Sequence, residues 1–176
     1  MMFDPTVFDN LKVVVEGEIY DQDLSGAIQV IDRKDIVDLA KMSRSYEISF
    51  RSSEHSTSLK GATLRIHADL LSLSGELLNT PNATLGCTVE ILFTMEMNDP
   101  DVQCKQIEQE LVGIWGTERS ISQQISYVYG KTNLYKNTIM LSFGRKINED
   151  HMDDLVELVT YILTTLNSLN KISKVK

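Results

Sequence analysis

Between Asn148 and Asn170 the apolar residues Met152, Leu155, Val156, Val159, Ile162, Leu163, Leu166 and Leu169 recur every three or four positions, the spacing that gathers side chains on one helix face. Asn148 can serve as N-cap, and Glu149, Asp150 and Asp153 put negative charge at the positive end of the helix dipole. Lys171, Lys174 and Lys176 mark the other end. Part of the stripe also fits a coiled-coil seam, but the seam is too short for a zipper, and Val156, Leu158 and Leu163 broaden it. A stripe that broad predicts a helix lying on a sheet.

Elsewhere the pattern alternates. Leu11, Val13, Val15 and Ile19 stand against Lys12, Glu16 and Glu18 and predict a half-buried strand over Leu11 to Tyr20, with Gly17 weakening it or marking a bulge. The turn formers of Asp21-Gln22-Asp23-Leu24-Ser25-Gly26 follow, and Ile28, Val30 and Ile31 predict the return strand of a hairpin. Asp32 predicts the N-cap of a short helix through Ile36, Val37, Leu39, Ala40 and Met42. Tyr46, Ile48 and Phe50 predict another strand, and Ser52 to Ser58, with His55, an exposed loop. The next strand, Ala62 to Leu73, buries Leu64, Ile66, Ala68 and Leu70 and turns Arg65, His67 and Asp69 the other way.

Gly75, Asn79, Pro81 and Asn82 then predict a turn region. Cys87, Val89, Ile91, Phe93, Met95 and Met97 form the most apolar face in the chain and predict a central strand. Asp99-Pro100 opens a helix that runs to about Trp115, where Gly116 ends it. Ile121, Ile125, Tyr127 and Tyr129, then Ile139, Leu141 and Phe143, predict two final strands around a turn at Gly130 to Asn137.

Short polar turns between alternating strands favour antiparallel pairing. The expectation is one α+β domain over residues 1–176, a mainly antiparallel sheet of about five to seven strands with helices packed on one face and a long C-terminal helix. From the predicted short helix onward, this element order resembles that of the small acidic chaperones of bacterial type III secretion. The resemblance implies a homodimer that holds a partner chain, and it rests on element order, without a shared motif. A helix-grip arrangement is the alternative. It would place a ligand cavity between sheet and long helix, lined by residues such as Phe93, Met95 and Tyr127, although the helix from Pro100 to Trp115 sits awkwardly in it.

Charge narrows the partners. With 17 Lys and Arg against 25 Asp and Glu the net charge is -8, and the cations are scattered, which disfavours nucleic acid and anionic membrane surfaces. No apolar run approaches the roughly 18 residues of a membrane span, and Met1 to Asn10 lacks the pattern of a signal peptide. Cys87 and Cys104 fall on apolar faces without metal-type spacing, so free buried thiols and a cytoplasmic location are expected.

Candidate chemistry is sparse. Asp21, Asp23, Ser25, Gly26 and Ile28, with Asp32 at the twelfth place, follow the EF-hand loop, in which Ca²⁺ takes its oxygens from a short flexible segment. Aspartate where a bidentate glutamate is expected counts against it, as does a strand leading in, and a hairpin turn wants the same residues. Arg65, His67 and Asp69, with Glu90 and Glu96 on a neighbouring strand, could form an acid–base site, but a solvated face of cross-strand charge pairs is the commoner outcome. His55 and His151 read as surface residues, and His151, Asp154 and Glu157 drift around the helix towards water. Trp115, Tyr127, Tyr129 and Tyr135 could line a pocket or rim an ordinary core.

No catalytic residue or cofactor is assigned on this basis. The expected function is a non-enzymatic module that binds another protein or itself, as a homodimer. A small-molecule pocket under the long helix is the alternative, and calcium binding at Asp21 to Asp32 a third possibility.

Overall fold

The broad stripe on the last helix does lie against a sheet. The computed structural model describes residues 6–54, 58–81 and 85–174. The chain runs α1 (Val7–Leu24), β1 (Ile28–Asp38), β2 (Ser43–Ser52), β3 (Leu59–Ala68), α2 (Leu70–Leu77), β4 (Thr88–Met97), α3 (Pro100–Trp115), β5 (Ser120–Tyr127), β6 (Tyr135–Ser142), a single 3₁₀ turn (Glu149–His151) and α4 (Met152–Lys174). Six strands form one sheet in the order β1-β2-β3-β4-β6-β5. Every neighbouring pair is antiparallel. The fold is α+β, as its sequence pattern implies.

One face of the sheet holds the core. Tyr46, Ile48 and Phe50 of β2, Leu64 and Ile66 of β3, Ile91, Phe93 and Met95 of β4, and Ile139 and Leu141 of β6 are all fully buried there. α4 lies across β2, β3 and β4 with α1 on one flank and α3 on the other. Its Leu155, Leu158, Val159, Ile162, Leu166 and Leu169 are buried, and only Val156 of the predicted stripe turns away, at 40% exposure. Each such side chain contributes about 1.5–3 kcal/mol gross, most of it offset by lost chain entropy. Gly61 is fixed by close approach, since a Cβ there would lie 2.5 Å from the Phe50 carbonyl oxygen.

Two elements differ in kind from the sequence pattern. Leu11 to Tyr20 is helix, not strand, within α1. Thr6 caps it by accepting the Asp9 N–H, and the buried residues are Phe8, Leu11, Val15 and Ile19, three and four apart. The run Val13-Val14-Val15 favours a strand locally, but a helical stripe that packs on α4 and the sheet overrides it, with Val13 exposed. Among the described residues no strand therefore precedes Ile28, and β1 pairs with β2 instead.

Residues Asp32 to Met42 form no helix. They are the second half of β1 and the turn into β2, because β1 continues through a bulge at Val30/Asp32 and stays paired to Asp38. Asp38 accepts the Ala40 and Lys41 N–H groups in a side-chain turn, and Met42 takes a positive φ of 52°. The apolar residues Ile36, Val37, Leu39 and Met42 that imitate a helical stripe are exposed.

Smaller differences follow from capping. β3 stops at Ala68 because Asp69 accepts the Ser72 N–H at 2.8 Å and starts α2, which takes in Leu70, Leu73 and Gly75. α3 keeps its predicted bounds, with Asp99 as cap and Pro100 in its first turn. Asn148 caps the 3₁₀ turn that leads into α4, in a reciprocal box with His151. His55 in the predicted exposed loop and Asn82 in the predicted turn region lie outside the described residues.

Candidate functional site

The second face of the sheet carries no helix and is polar. Along its middle, Arg65 Nε donates to Glu47 Oε1 at 2.7 Å and its Nη1 to Glu90 Oε2 at 3.1 Å, and Lys34 reaches Glu47 at 4.0 Å. This is a ladder of cross-strand charges over β1 to β4, set by the register Lys34, Glu47, Arg65, Glu90. Burial works against the Arg65 charge, but the two glutamates outweigh it and raise its pKa.

The structure separates the three side chains that alternation had grouped. Arg65 belongs to the ladder. His67 Nδ1 lies 2.7 Å from the hydroxyl of Ser45, its directly opposed residue on β2. Asp69 has left the strand, where the Ser72 N–H and the Lys146 ammonium at 3.2 Å hold its carboxyl below the usual value. Ser45 and His67 form a hydroxyl–imidazole pair, the first half of a nucleophile arrangement. Among the described residues no carboxylate bonds the second ring nitrogen, the contact that orients the imidazole of a general base.

That pair borders a shallow hollow of about 430 Å³ lined by Ile36, Ser43, Ser45, His67, Leu70 and Leu71. Asp38, Lys41 and Asp69 also line it, beside the exposed apolar side chains of Ile36, Leu70 and Leu71. Leu39 at the hairpin tip is 78% exposed and Leu71 on α2 is 77% exposed; Met42 is exposed in the same turn, whereas Val37, opposite Arg44, points to the other face of β1. The sequence pattern could not flag this surface while Leu39 and Met42 were assigned to a packed helix.

A second hollow, about 320 Å³, opens between the end of α3, the start of β5, the end of β6 and the first turns of α4. Trp115, Phe143 and Tyr161 wall it, with ring centroids of Trp115 6.0 Å from Phe143 and 5.4 Å from Tyr161. The indole N–H donates to Thr165 Oγ1 at 2.9 Å, which fixes the ring. Arg119 lies over the Phe143 ring at 5.0 Å, and Arg145, paired at 3.5 Å with Asp154, stands at the rim with Glu157. Trp115 therefore does line a hollow beside the long helix. Phe93 and Met95 do not, being sealed in the core, and Tyr127 is 70% exposed on β5.

The EF-hand-like residues are spread along α1 and β1. Asp21 and Asp23 sit in the last turn of α1, Ser25 is its C-cap, and Asp32 lies on β1 beyond the bulge. A helix leads into this loop after all, but a strand leaves it. Asp23 Oδ1 accepts the Val30 N–H at 3.2 Å, Ser25 Oγ donates to the Gln22 carbonyl, and Asp32 takes the Arg33 N–H and stands 3.3 Å from Lys34 Nζ. Among the described residues no three His, Cys, Asp or Glu side chains converge as a metal set. Both cysteines are free; burial pushes the Cys87 thiol up to about 12 and raises Cys104 also.

The two margins of the sheet are the remaining surfaces. β1 is bulged and charged, and its Asp35 and Arg33 are tied to α1. β5 pairs with β6 without a break from Ser120 to Tyr127, and among the described residues its outer side meets no strand. Comparison with protein-family models, with curated proteins and with solved structures found no match to this chain. No helix among the described residues is long and apolar enough to cross a membrane.

Proposed function

We propose that this protein is a non-enzymatic binding module that associates with itself and holds another protein chain, in the manner of a small dimeric chaperone. The observation that carries this reading is the group of exposed apolar side chains Ile36, Leu70 and Leu71 at the hollow, with Leu39 and Met42 in the adjoining hairpin turn. They are exposed in a molecule whose core is already filled by its own helices. Exposed apolar side chains at a hollow are what one protein offers another. Light scattering on a size-exclusion column tests the self-associating part: the expected mass is that of a dimer at micromolar concentration, and a monomer there rejects it.

The aromatic hollow at Trp115 supports a second reading, a small-molecule site. Trp115, Phe143 and Tyr161 with Arg119 suit a planar anion, through stacking and charge. Titration with planar aromatic carboxylates, followed by Trp115 fluorescence, distinguishes it. A saturable change supports the small-molecule reading, and no change up to millimolar concentration removes it.

A further inference from the structure

We propose that two copies of this chain join along β5, antiparallel about a two-fold axis, so that their sheets run on as one. The inference rests on the self-association reading and names its surface. β5 is the outermost strand, and the backbone N–H and C=O groups on its outer side face no partner strand. Natural edges are usually blunted by charge, proline or a bulge. Ser120 to Tyr127 has none of these: its sequence is Ser-Ile-Ser-Gln-Gln-Ile-Ser-Tyr and its register with β6 is unbroken.

The neutrality of this strand suits it to a second copy of the chain. A chain of net charge -8 repels its own copy over most of its surface. Antiparallel self-pairing sets each strand against its own reversed sequence, and an uncharged strand brings no like charges face to face in any register.

The two ends of β5 are also complementary. A two-fold axis normal to a sheet pairs residues on the same face, so the pairing must centre on a residue, Gln123 or Gln124. Ile121, Gln123, Ile125 and Tyr127 share the helix-bearing face, opposite Leu141, Ile139, Asn137 and Tyr135 of β6. Centred on Gln123, Ile121 meets Ile125 and Arg119 meets Tyr127 of the second copy. Centred on Gln124, Ile121 meets Tyr127. In the register centred on Gln123, Tyr127 from one copy reaches the arginine at the mouth of the other's aromatic hollow. Tyr127 is 70% exposed in the single chain, and Arg119 is already stacked on Phe143. β1 and the hollow beside it lie at the far margin, so this dimer leaves both hollows free for a partner chain.

The test is a pair of surface variants measured by light scattering at the concentration where the wild type is dimeric. Ser122→Lys with Gln124→Lys places lysines opposite each other in both registers. Both positions are exposed on the helix-free face, and the change makes the chain less acidic, which by itself favours association. The expected result is a monomer mass and dimerisation weakened at least about tenfold. Leu39→Lys with Met42→Lys, at the hairpin rim, should keep the dimer mass. A dimer of unchanged strength in the β5 variant overturns the interface while leaving self-association standing. A monomeric wild type overturns both. Amide exchange of the wild type covers any folding defect in the lysine variant. Protection along β5 should rise with protein concentration, and identical exchange across the monomer–dimer range overturns the proposal.

Discussion

At one margin of the sheet β1 carries Asp32, Arg33, Lys34 and Asp35 in succession behind a bulge, while at the other β5 runs eight residues without a charge or an interruption. The charges of β1 act twice. Lys12 of α1 donates to Asp35 at 2.7 Å, Arg44 reaches Asp9 at 2.7 Å and Asp35 at 3.0 Å, and Arg33 approaches Glu16 at 3.4 Å, so they fasten α1 to the sheet while making the edge unfit for another strand. On β5 Gln123 turns inward instead, donating to the Cys104 carbonyl of α3, while its serines and Gln124 are exposed. A sheet with one closed edge and one open, self-complementary edge adds a single copy and stops. Two open edges would permit a filament.

The largest perturbation removes the support both margins share. α4 crosses β2, β3 and β4 between the helices that flank it, and Ile162 is fully buried. Ile162→Asp should cost about 4 kcal/mol or more, because a carboxylate is left without a partner in the core. That approaches the roughly 5–15 kcal/mol of a whole domain. Far-UV circular dichroism with urea should find the protein unfolded or nearly so, both edges lost together. A folded monomer that had merely stopped pairing would make α4 an interface.

The legibility of the chain divides along the same line. From Tyr46 onward, alternation and caps locate β2, β4, α3, β6 and α4, because each has one face on the core and the apolar period reports that face. The N-terminal quarter misleads for a physical reason. In α1 a β-branched run outweighs the Phe8, Leu11, Val15, Ile19 stripe to the eye, and in β1 the apolar residues beyond the bulge face solvent, so period no longer reports burial. Surfaces are less legible still. The hairpin rim emerges only once Asp38 is recognised as a turn former, whereas the missing charge on β5 is plain in the sequence and gains meaning from its place at an edge.

Acid should separate the margins next. Burial alone would raise the Asp9 pKa, but the Thr6 hydroxyl and Arg44 outweigh it and hold it below the ordinary value; Asp35 is lowered chiefly by Arg44, then by Lys12. A carboxylate depressed in the folded state stabilises fully above its unfolded value near 4, and that stabilisation is lost as pH falls through the lower folded value. Below about pH 4, amide exchange should rise in α1 and β1 before the fluorescence of Trp115, on the β5 side, shifts. Arg44→Ala at neutral pH should mimic this at a cost of about 1–2 kcal/mol, because it leaves two part-exposed carboxylates, Asp35 with Lys12 alone and Asp9 with the Thr6 hydroxyl. If Trp115 responds first, the β1 margin is not the one held by charge.

The smallest effect is expected where a polar contact is half made. Asn137 on β6 is fully buried; its amide donates to Gln123 Oε1 at 2.8 Å, yet among the described residues its carbonyl oxygen has no partner. A buried acceptor without a donor forfeits much of what the amide gains, and replacing such a group by an apolar one of the same shape is close to neutral. Gln123 sits near the edge and can turn its freed oxygen to water. Asn137→Leu should therefore change stability by no more than about 1 kcal/mol in either direction, read as a melting temperature nearly unmoved or slightly raised. A loss as large as that of Arg44→Ala would mean that the amide is fully satisfied. The β5 margin would then be tied down by polar contacts as firmly as β1, and only its lack of charge would still set it apart.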